Sequence, residues 1–510
     1  MRTESSNKQN LGSVLNRMAS IFRNGHKEKS TGAPQNEGDW ATDDDIKKLN
    51  LCPTKGQDAG SSCYLGGYED GKGHLQYLKH SGPEHILAFV PCRSGSTLNV
   101  VLPNLLGGWR DSVVVNDISG GLYRLSAGYR GSIGNNVLKF SPASGLDDAE
   151  GCHFNPLEEV RVGTPFDVKD AMKIAAMIVD LDGKDLNDHW QKTGFAFLVA
   201  VILHVVYSEK DKTLHGVARY VEAMPNMKSA FDKMLSVEHD PDGQFHWKNS
   251  RGEPVKVHPL ISQVAKEMSY KQANESSGVL STVNCFLAPY LDPIVSHWTA
   301  YSDFHIIDLQ DGETPLSLFL VSPYEDAHCA KPLTRLVLNL MASKLSAADR
   351  IIDNDSQQKR VGKHNLLLLL DALPSLGKIE WLQNAIASLP NYGVKLFLVV
   401  ENKTQIDGVS GARGIIDNCP VKIVYPPNDD ATAEWVSKVL TKGVLSPDAV
   451  LRVRGTICGA GGSPINGDAL IFVAEFAPIF GKQIVFSGDP VLLKRSQMPT
   501  HPQQDSTIKG

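Results

Sequence analysis

Residues 90–97 read Val90-Pro91-Cys92-Arg93-Ser94-Gly95-Ser96-Thr97. An apolar run, Ile86-Leu87-Ala88-Phe89-Val90, precedes them, and a helix-compatible run, Leu98-Asn99-Val100-Val101-Leu102, follows. Strand, small-residue turn and helix N-terminus is the arrangement whose backbone N–H groups cradle a polyphosphate. That pattern ordinarily ends Gly-Lys-Ser/Thr, and its lysine neutralises the β- and γ-phosphates; here Ser96 holds the lysine's place. Arg93, Ser94, Gly95, Ser96 and Thr97 are the candidate nucleotide-binding residues, and the Thr97 hydroxyl is a candidate Mg2+ ligand. A second candidate is Asp371, which follows the run Leu366-Leu367-Leu368-Leu369-Leu370. A buried strand ending in aspartate sets a carboxylate at the sheet's carboxyl edge, where it can hold the water shell of Mg2+ beside a triphosphate. Asp371 is also the one catalytic candidate. The next residue, where a glutamate would polarise the attacking water, is Ala372, which has no acid or base function. Charge-assisted hydrogen bonds contribute about 1.5–3 kcal/mol each, so loss of the lysine weakens nucleotide binding and slows hydrolysis. Arg93 could compensate in part; its plainer role is a surface or DNA-facing arginine.

The elements that must position these residues follow an α/β pattern from about residue 85. Short apolar runs at 85–90, 112–115, 316–321, 365–370, 395–400, 421–425 and 469–476 read as buried parallel strands. Helix-like segments or short loops separate them, which implies a mostly parallel central sheet flanked by helices. Residues 166–298 carry helical patterns instead, at 167–179, 189–207, 214–223 and 259–270. An all-α domain inserted into an α/β domain is the simplest account. The expected organisation is a flexible segment 1–39, a first part of the α/β domain at 40–165, the helical insertion at 166–298, the second part at 299–496, and a disordered tail at 497–510. Lys395 and Arg360 read as solvated surface charges.

The bulk composition sets bounds. The chain has 510 residues, 42% hydrophobic and 21% charged, enough for several cores. A net charge of −6 gives no global pull toward nucleic acid, so any DNA contact is local. The eight cysteines contain no Cys-x-x-Cys pair, which argues against zinc and for free thiols in a reducing cytoplasm. The longest apolar stretch, 194–207, is interrupted by His204 and is expected to fall short of the roughly 20 residues a membrane span requires. No transmembrane helix is expected. Leu11, Val14, Leu15, Met18, Ile21 and Phe22 recur at helical spacing, with Arg17, Arg23, Lys27 and Lys29 in or just after them. Such a stretch docks on protein or lies on a membrane surface.

Motifs spread from Trp40 to Arg495 resemble the TraG-type family of type IV secretion coupling proteins. They include Trp40-Ala41-Thr42, Tyr64-Leu65-Gly66-Gly67, Gly82-Pro83-Glu84-His85, Arg93-Ser94-Gly95, Ala127-Gly128-Tyr129-Arg130, Phe154-Asn155-Pro156-Leu157, Asp188-His189-Trp190-Gln191-Lys192-Thr193, Ser302-Asp303-Phe304 and Pro374-Ser375-Leu376-Gly377. The resemblance implies a RecA-like P-loop NTPase core with an inserted all-α domain, ATP and Mg2+ as cofactors, and a hexamer. It also implies a place at the cytoplasmic face of the inner membrane. The partners would be the secretion channel, a relaxosome or secreted protein substrates, and DNA. The departures gather at the nucleotide site. Ser96 and Ala372 replace the family's lysine and glutamate. Asp117-Ile118-Ser119-Gly120-Gly121 stands for Asp-Ile-Lys-Gly-Glu, and Glu401-Asn402 for a Gln-Ser pair. Two outcomes follow: a coupling protein that recruits substrates with an impaired nucleotide site and weak or absent ATPase, or an active hexameric motor in which Arg93 or a neighbouring subunit supplies the missing charge.

Overall fold

The computed structural model describes residues 40–52, 61–91, 96–180, 186, 188–224, 226–347, 350–354, 357–377, 379–458 and 464–500. The amphipathic stretch 11–22 and the loop residues Arg93, Ser94 and Gly95 lie outside them.

Eleven strands form one sheet: β1 (Cys63–Glu69), β2 (Leu75–His80), β3 (Ile86–Phe89), β4 (Ser112–Asp117), β5 (Asn136–Phe140), β6 (Leu316–Val321), β7 (Leu366–Leu370), β8 (Val394–Val400), β9 (Val421–Val424), β10 (Asp468–Phe472) and β11 (Ile479–Lys482). Their spatial order is β2-β1-β11-β10-β9-β3-β8-β7-β4-β6-β5. From β9 to β5 every neighbouring pair is parallel. The four strands beyond β9 extend the sheet antiparallel. Both faces are covered. Leu366, Leu368 and Leu370 of β7 enter one core, and Leu367 and Leu369 enter the other. A strand wet on neither side has no reason to alternate polar and apolar residues, which is why β7 reads as five leucines.

The seven expected strands are present, with one boundary moved. The run 469–476 does not continue as strand past Phe472. The Phe476 N–H donates to the Val473 carbonyl at 3.2 Å, and Glu475 takes a left-handed φ of 69°, so the chain turns there and returns as β11. The strands β1, β2, β5 and β11 were not expected. β2 and β5 are sheet edges with half-exposed residues, and β1 carries Gly66-Gly67, so none shows an apolar run.

Helix α1 (Asp43–Lys48) opens the described chain with a capping box from Thr42 and Asp45. Helix α2 (Ser96–Pro103) follows the loop after β3, and α3 (Gly121–Ser132) follows β4. Between β5 and β6 run α4 (Asp167–Val179), α5 (His189–Ser208), α6 (Leu214–Glu222), α7 (Met227–Ser236), α8 (Pro259–Ser269), α9 (Ala273–Leu287) and α10 (Pro293–Trp298). Asp188, Thr213, Asn226, His258 and Asp292 each cap the helix that follows with a side-chain acceptor. Helix α5 has 20 residues and is long and apolar enough to cross a membrane, so the expected shortfall in length does not hold. Yet 67% of its apolar window is buried against protein. It packs on α4, α6, α8 and α9 as the centre of the helical layer.

The chain passes into and out of this helical run side by side. The Phe154 N–H donates to the Trp298 carbonyl at 3.0 Å, and the Asp303 N–H to the His153 carbonyl at 3.0 Å. The Asp303 carboxylate accepts the His153 N–H at 2.7 Å and faces its Nδ1 at 3.0 Å. Trp298 lies so close to Gly151 that a Cβ there would clash with its ring.

Candidate nucleotide site

Parallel strands aim their carboxyl ends at one edge of a sheet, and ligands bind outside that edge. Here β4, β7, β8, β3 and β9 end together. Asn116 pairs in register with Leu370, so Asp117 and Asp371 are the next residues of adjacent strands. Glu401 follows the last residue of β8 on the other side of β7. Of the candidate residues, Asp371 stands where it was expected. Ser96 and Thr97 are the first two residues of α2, which starts beyond the end of β3 at the same edge. Arg93, Ser94 and Gly95 lie outside the described residues, so no geometry is assigned to them.

The electrostatics of the edge are acidic. Burial, joined by the nearby Asp117 and Glu401 carboxylates, raises the half-buried Asp371 carboxyl to about 7 against the pull of the Ala372 backbone N–H. Asp117 is itself buried, and burial raises its pKa too. Its carboxylate accepts the Tyr123 N–H at 2.8 Å and so holds the start of α3. Asn116, fully inside, donates from Nδ2 to the Asp371 carbonyl at 2.7 Å and fixes the turn that leaves β7. Ala372 sits at φ 49°, ψ 51°, a left-handed conformation that costs an alanine roughly 1 kcal/mol. Its carbonyl accepts the Ser375 N–H at 2.8 Å, which starts the short turn Leu373–Leu376. The Ser119 hydroxyl accepts the Gly121 N–H at 3.3 Å, and the Ser119 carbonyl accepts from Arg124 at 3.2 Å, so this stretch is engaged in local turns. Beyond β8 the Glu401 N–H donates to Gln405 at 2.9 Å, and Asn402 caps the helix Lys403–Asp407.

Among the described residues no group of three His, Cys, Asp or Glu side chains is placed to hold a metal ion, so Asp117, Asp371 and Glu401 gather negative charge at the edge without forming a cation site of their own. They are a poor wall for a triphosphate without a cation between. A Mg2+ held there would be met by Asp371 through its water shell, and residues 92–95, which would face the phosphates, lie outside the described residues. Asp117 was legible only as the first residue of a strand-end motif and Asn116 not at all; their coupling to Asp371 needs the register of β4 against β7.

Lys395 is not a solvated charge. It is 4% exposed, and its ammonium donates to the Gly82 carbonyl at 2.8 Å and the His80 carbonyl at 3.3 Å and meets His80 Nδ1 at 2.9 Å. The reason lies in register: its strand runs through the middle of the sheet, and it stands at the amino edge beneath the β2–β3 turn. Arg360 is half-buried and donates to Asn365 at 2.8 Å and to the Gly362 carbonyl at 3.1 Å.

A family model for type IV secretory system conjugative DNA transfer matches residues 39–444. Two conjugal transfer proteins TraG of Escherichia coli are 34% and 35% identical to this chain, covering 92% and 90% of it and 79% and 77% of their own lengths. Protein VirD4 of Agrobacterium fabrum is 25% identical over 71% of this chain and 50% of its own. Among solved structures, the conjugative coupling protein TrwB, in a trigonal form with sulphate, covers 91% of this chain and 96% of its own with a TM-score of 0.56 at 16% identity. TrwB in complex with ADP and Mg2+ gives a TM-score of 0.55 at 15% identity, over 90% of this chain and 97% of its own. At that identity the structural likeness establishes the fold: α/β, a RecA-like P-loop NTPase core whose large, mostly parallel sheet is flanked by helices. The chain belongs to the TraG-type coupling proteins of type IV secretory conjugative DNA transfer.

Proposed function

We propose that this chain recruits DNA or protein substrates to a type IV secretion channel while its nucleotide site is impaired. The observation that carries the impairment is the pair of residues at the edge: Ser96 begins α2 where the lysine would act, and Ala372 follows Asp371 where a glutamate would act. ATP and Mg2+ remain the cofactors to test, because TrwB has been solved with ADP and Mg2+. In this reading Arg93, Ser94, Gly95, Ser96 and Thr97 form the phosphate loop, and Thr97 and Asp371 are the metal-side groups. Residues 166–298 act as an inserted substrate-recognition domain between two parts of the nucleotide-binding domain, 40–165 and 299–496. The working assembly is a hexamer at the cytoplasmic face of the inner membrane, contacting channel components and a relaxosome or secreted protein. The N-terminal amphipathic stretch assists membrane contact; vesicle flotation of the chain with and without residues 1–39 tests this, and equal flotation removes it.

The deciding experiment is ATP binding and turnover by the purified chain, then by the double variant Ser96→Lys, Ala372→Glu. The parent is expected to turn over ATP at least about 100-fold more slowly than the double variant, the loss that goes with one or two missing electrostatic groups. A parent that hydrolyses ATP at a motor-like rate of about 1–100 s−1 refutes the impaired site.

A further inference from the structure

Three histidines form a continuous chain inside the helical layer. His204 on α5, His239 on the loop after α7, and His258 at the cap of α8 are 0%, 4% and 3% exposed. His204 Nδ1 lies 2.9 Å from His239 Nε2. His239 Nδ1 accepts the His258 backbone N–H at 3.4 Å, and His258 Nδ1 accepts the Leu260 N–H at 3.2 Å as the N-cap of α8. These contacts assign the protons. His239 and His258 each spend Nδ1 as an acceptor, so each carries its proton on Nε2. His239 Nε2–H then donates to His204 Nδ1, and His204 Nε2–H points to Glu209 at 3.5 Å. His258 Nε2–H points to Asp167 at 3.4 Å, at the start of α4.

A ring whose Nδ1 already accepts a hydrogen bond cannot take a second proton without breaking that bond. A proton on His258 Nδ1 removes the cap of α8. One on His239 Nδ1 evicts the His258 N–H, and one on His204 Nδ1 opposes the His239 N–H. The charges facing the chain do not offset this. Glu209 also binds Lys233 at 3.0 Å, and Asp167 also accepts the Tyr207 hydroxyl. Asp240 is spent on the Gln244 and Phe245 N–H groups at 2.8 Å each, and the rings of Tyr220 and Trp247 close the sides. Glu238 and Lys256 pair at 3.1 Å, both half-exposed. Burial holds His204 down to about 4 despite Glu209, and holds His239 down to about 3, aided by His204 and His258.

We propose that the His204–His239–His258 chain is a proton-released latch: proton uptake there frees α8 and the loop before it from α4 and α5, while the sheet stays folded. The sign is fixed. His204 and His239 resist protonation in the closed form, so closure is fully supported above about pH 6.5 and weakens as pH falls toward 4.

Hydrogen exchange of the full chain at pH 7.5 and 5.0, corrected for intrinsic rates, tests it. Opening of residues 200–209 and 255–268 is expected to rise at least roughly 30-fold at pH 5.0, the factor for one histidine moving from about 4 to 6.5. Residues 366–370 and 394–400 are expected to change less than about threefold. His239→Gln keeps a donor and an acceptor without titrating, and removes roughly 30-fold of the rise. An unchanged rise in that variant, or equal opening of the sheet, overturns the latch. Should the variant not fold, histidine-ring NMR titration of the native chain decides: His204 and His239 titrating near 6.5 overturns it, and both silent down to pH 5 upholds it.

Discussion

At the scale of single residues, the two edges of the sheet carry opposite charges for different reasons. Arg130 and Lys395 are buried at the amino edge, where they bind chain carbonyls. Arg130 donates to Ser317 at 2.9 Å, to the Asp111 carbonyl at 2.6 Å and to the Trp109 carbonyl, and burial pulls it down to about 9. Arg130→Met strands all three acceptors and is expected to cost about 3 kcal/mol, read as a lower urea midpoint at unchanged slope. At the carboxyl edge Asp371 carries the reverse strain. Its carboxyl is raised in the folded chain to about 7, so the fold loses stability as pH climbs from about 4 to 7, and the cost stays constant above. Asp371→Asn is expected to be the more stable protein at pH 8, by about 1 kcal/mol after solvent screening, with the gap closing toward pH 4. Thermal melts of both proteins across that range check it; a gap independent of pH refutes the assignment. The position of Asp371 was legible, since an apolar run ending in aspartate puts a carboxylate at the carboxyl edge of a parallel sheet. Its proton affinity was not, because Asp117 and Glu401 reach it only across strands.

At the scale of elements, periodicity foretold most of what is buried on both sides and little of what lies at an edge. The helices Asp167–Val179 and Pro259–Ser269 follow their apolar spacing within a residue or so. The edge strands β2 and β5 show no such pattern because water covers part of them. The C-terminal end is another element set by contact alone. After the helix Pro490–Ser496, Met498 and Pro499 cross α3 at Gly128, where a Cβ would stand 2.5 Å from the Pro499 carbonyl oxygen. Arg495 lies over the Tyr129 ring at 4.6 Å and donates to the Leu106 carbonyl at 2.7 Å, and Thr500 donates to Glu150 at 2.8 Å. Gly128→Ala is expected to lift this strap and cost about 1–2 kcal/mol. The cost should vanish in a chain that ends at Gln497. Equal penalties in the full and shortened chains, by denaturant melts, would place the effect within α3 itself.

At the scale of the whole molecule, the helical run and the sheet share one waist. Both crossings are tied by Phe154, Trp298, His153 and Asp303, and Gly151 leaves room for the Trp298 ring, whose indole N–H donates to the Ser144 carbonyl at 2.9 Å. Gly151→Ala drives a methyl into that ring. It is expected to make residues 141–155 and 299–306 the first sites cut in limited proteolysis, with the melting temperature lower by a few degrees. Unchanged cutting would show that the waist is not the weakest join.

The sequence by itself determined the alternation of strands and helices, the helical run, the family, and the serine and alanine at positions 96 and 372. These are properties of residue type and local spacing, which survive in one dimension. Tertiary structure alone decided which charges face one another. Register brought Asp117 and Glu401 to Asp371, burial turned Lys395 and Arg130 into internal ties, and packing made a 20-residue apolar helix a protein core with three histidines at its end. Electrostatic and packing energies depend on distances between residues far apart in the chain, and those distances exist only after it folds.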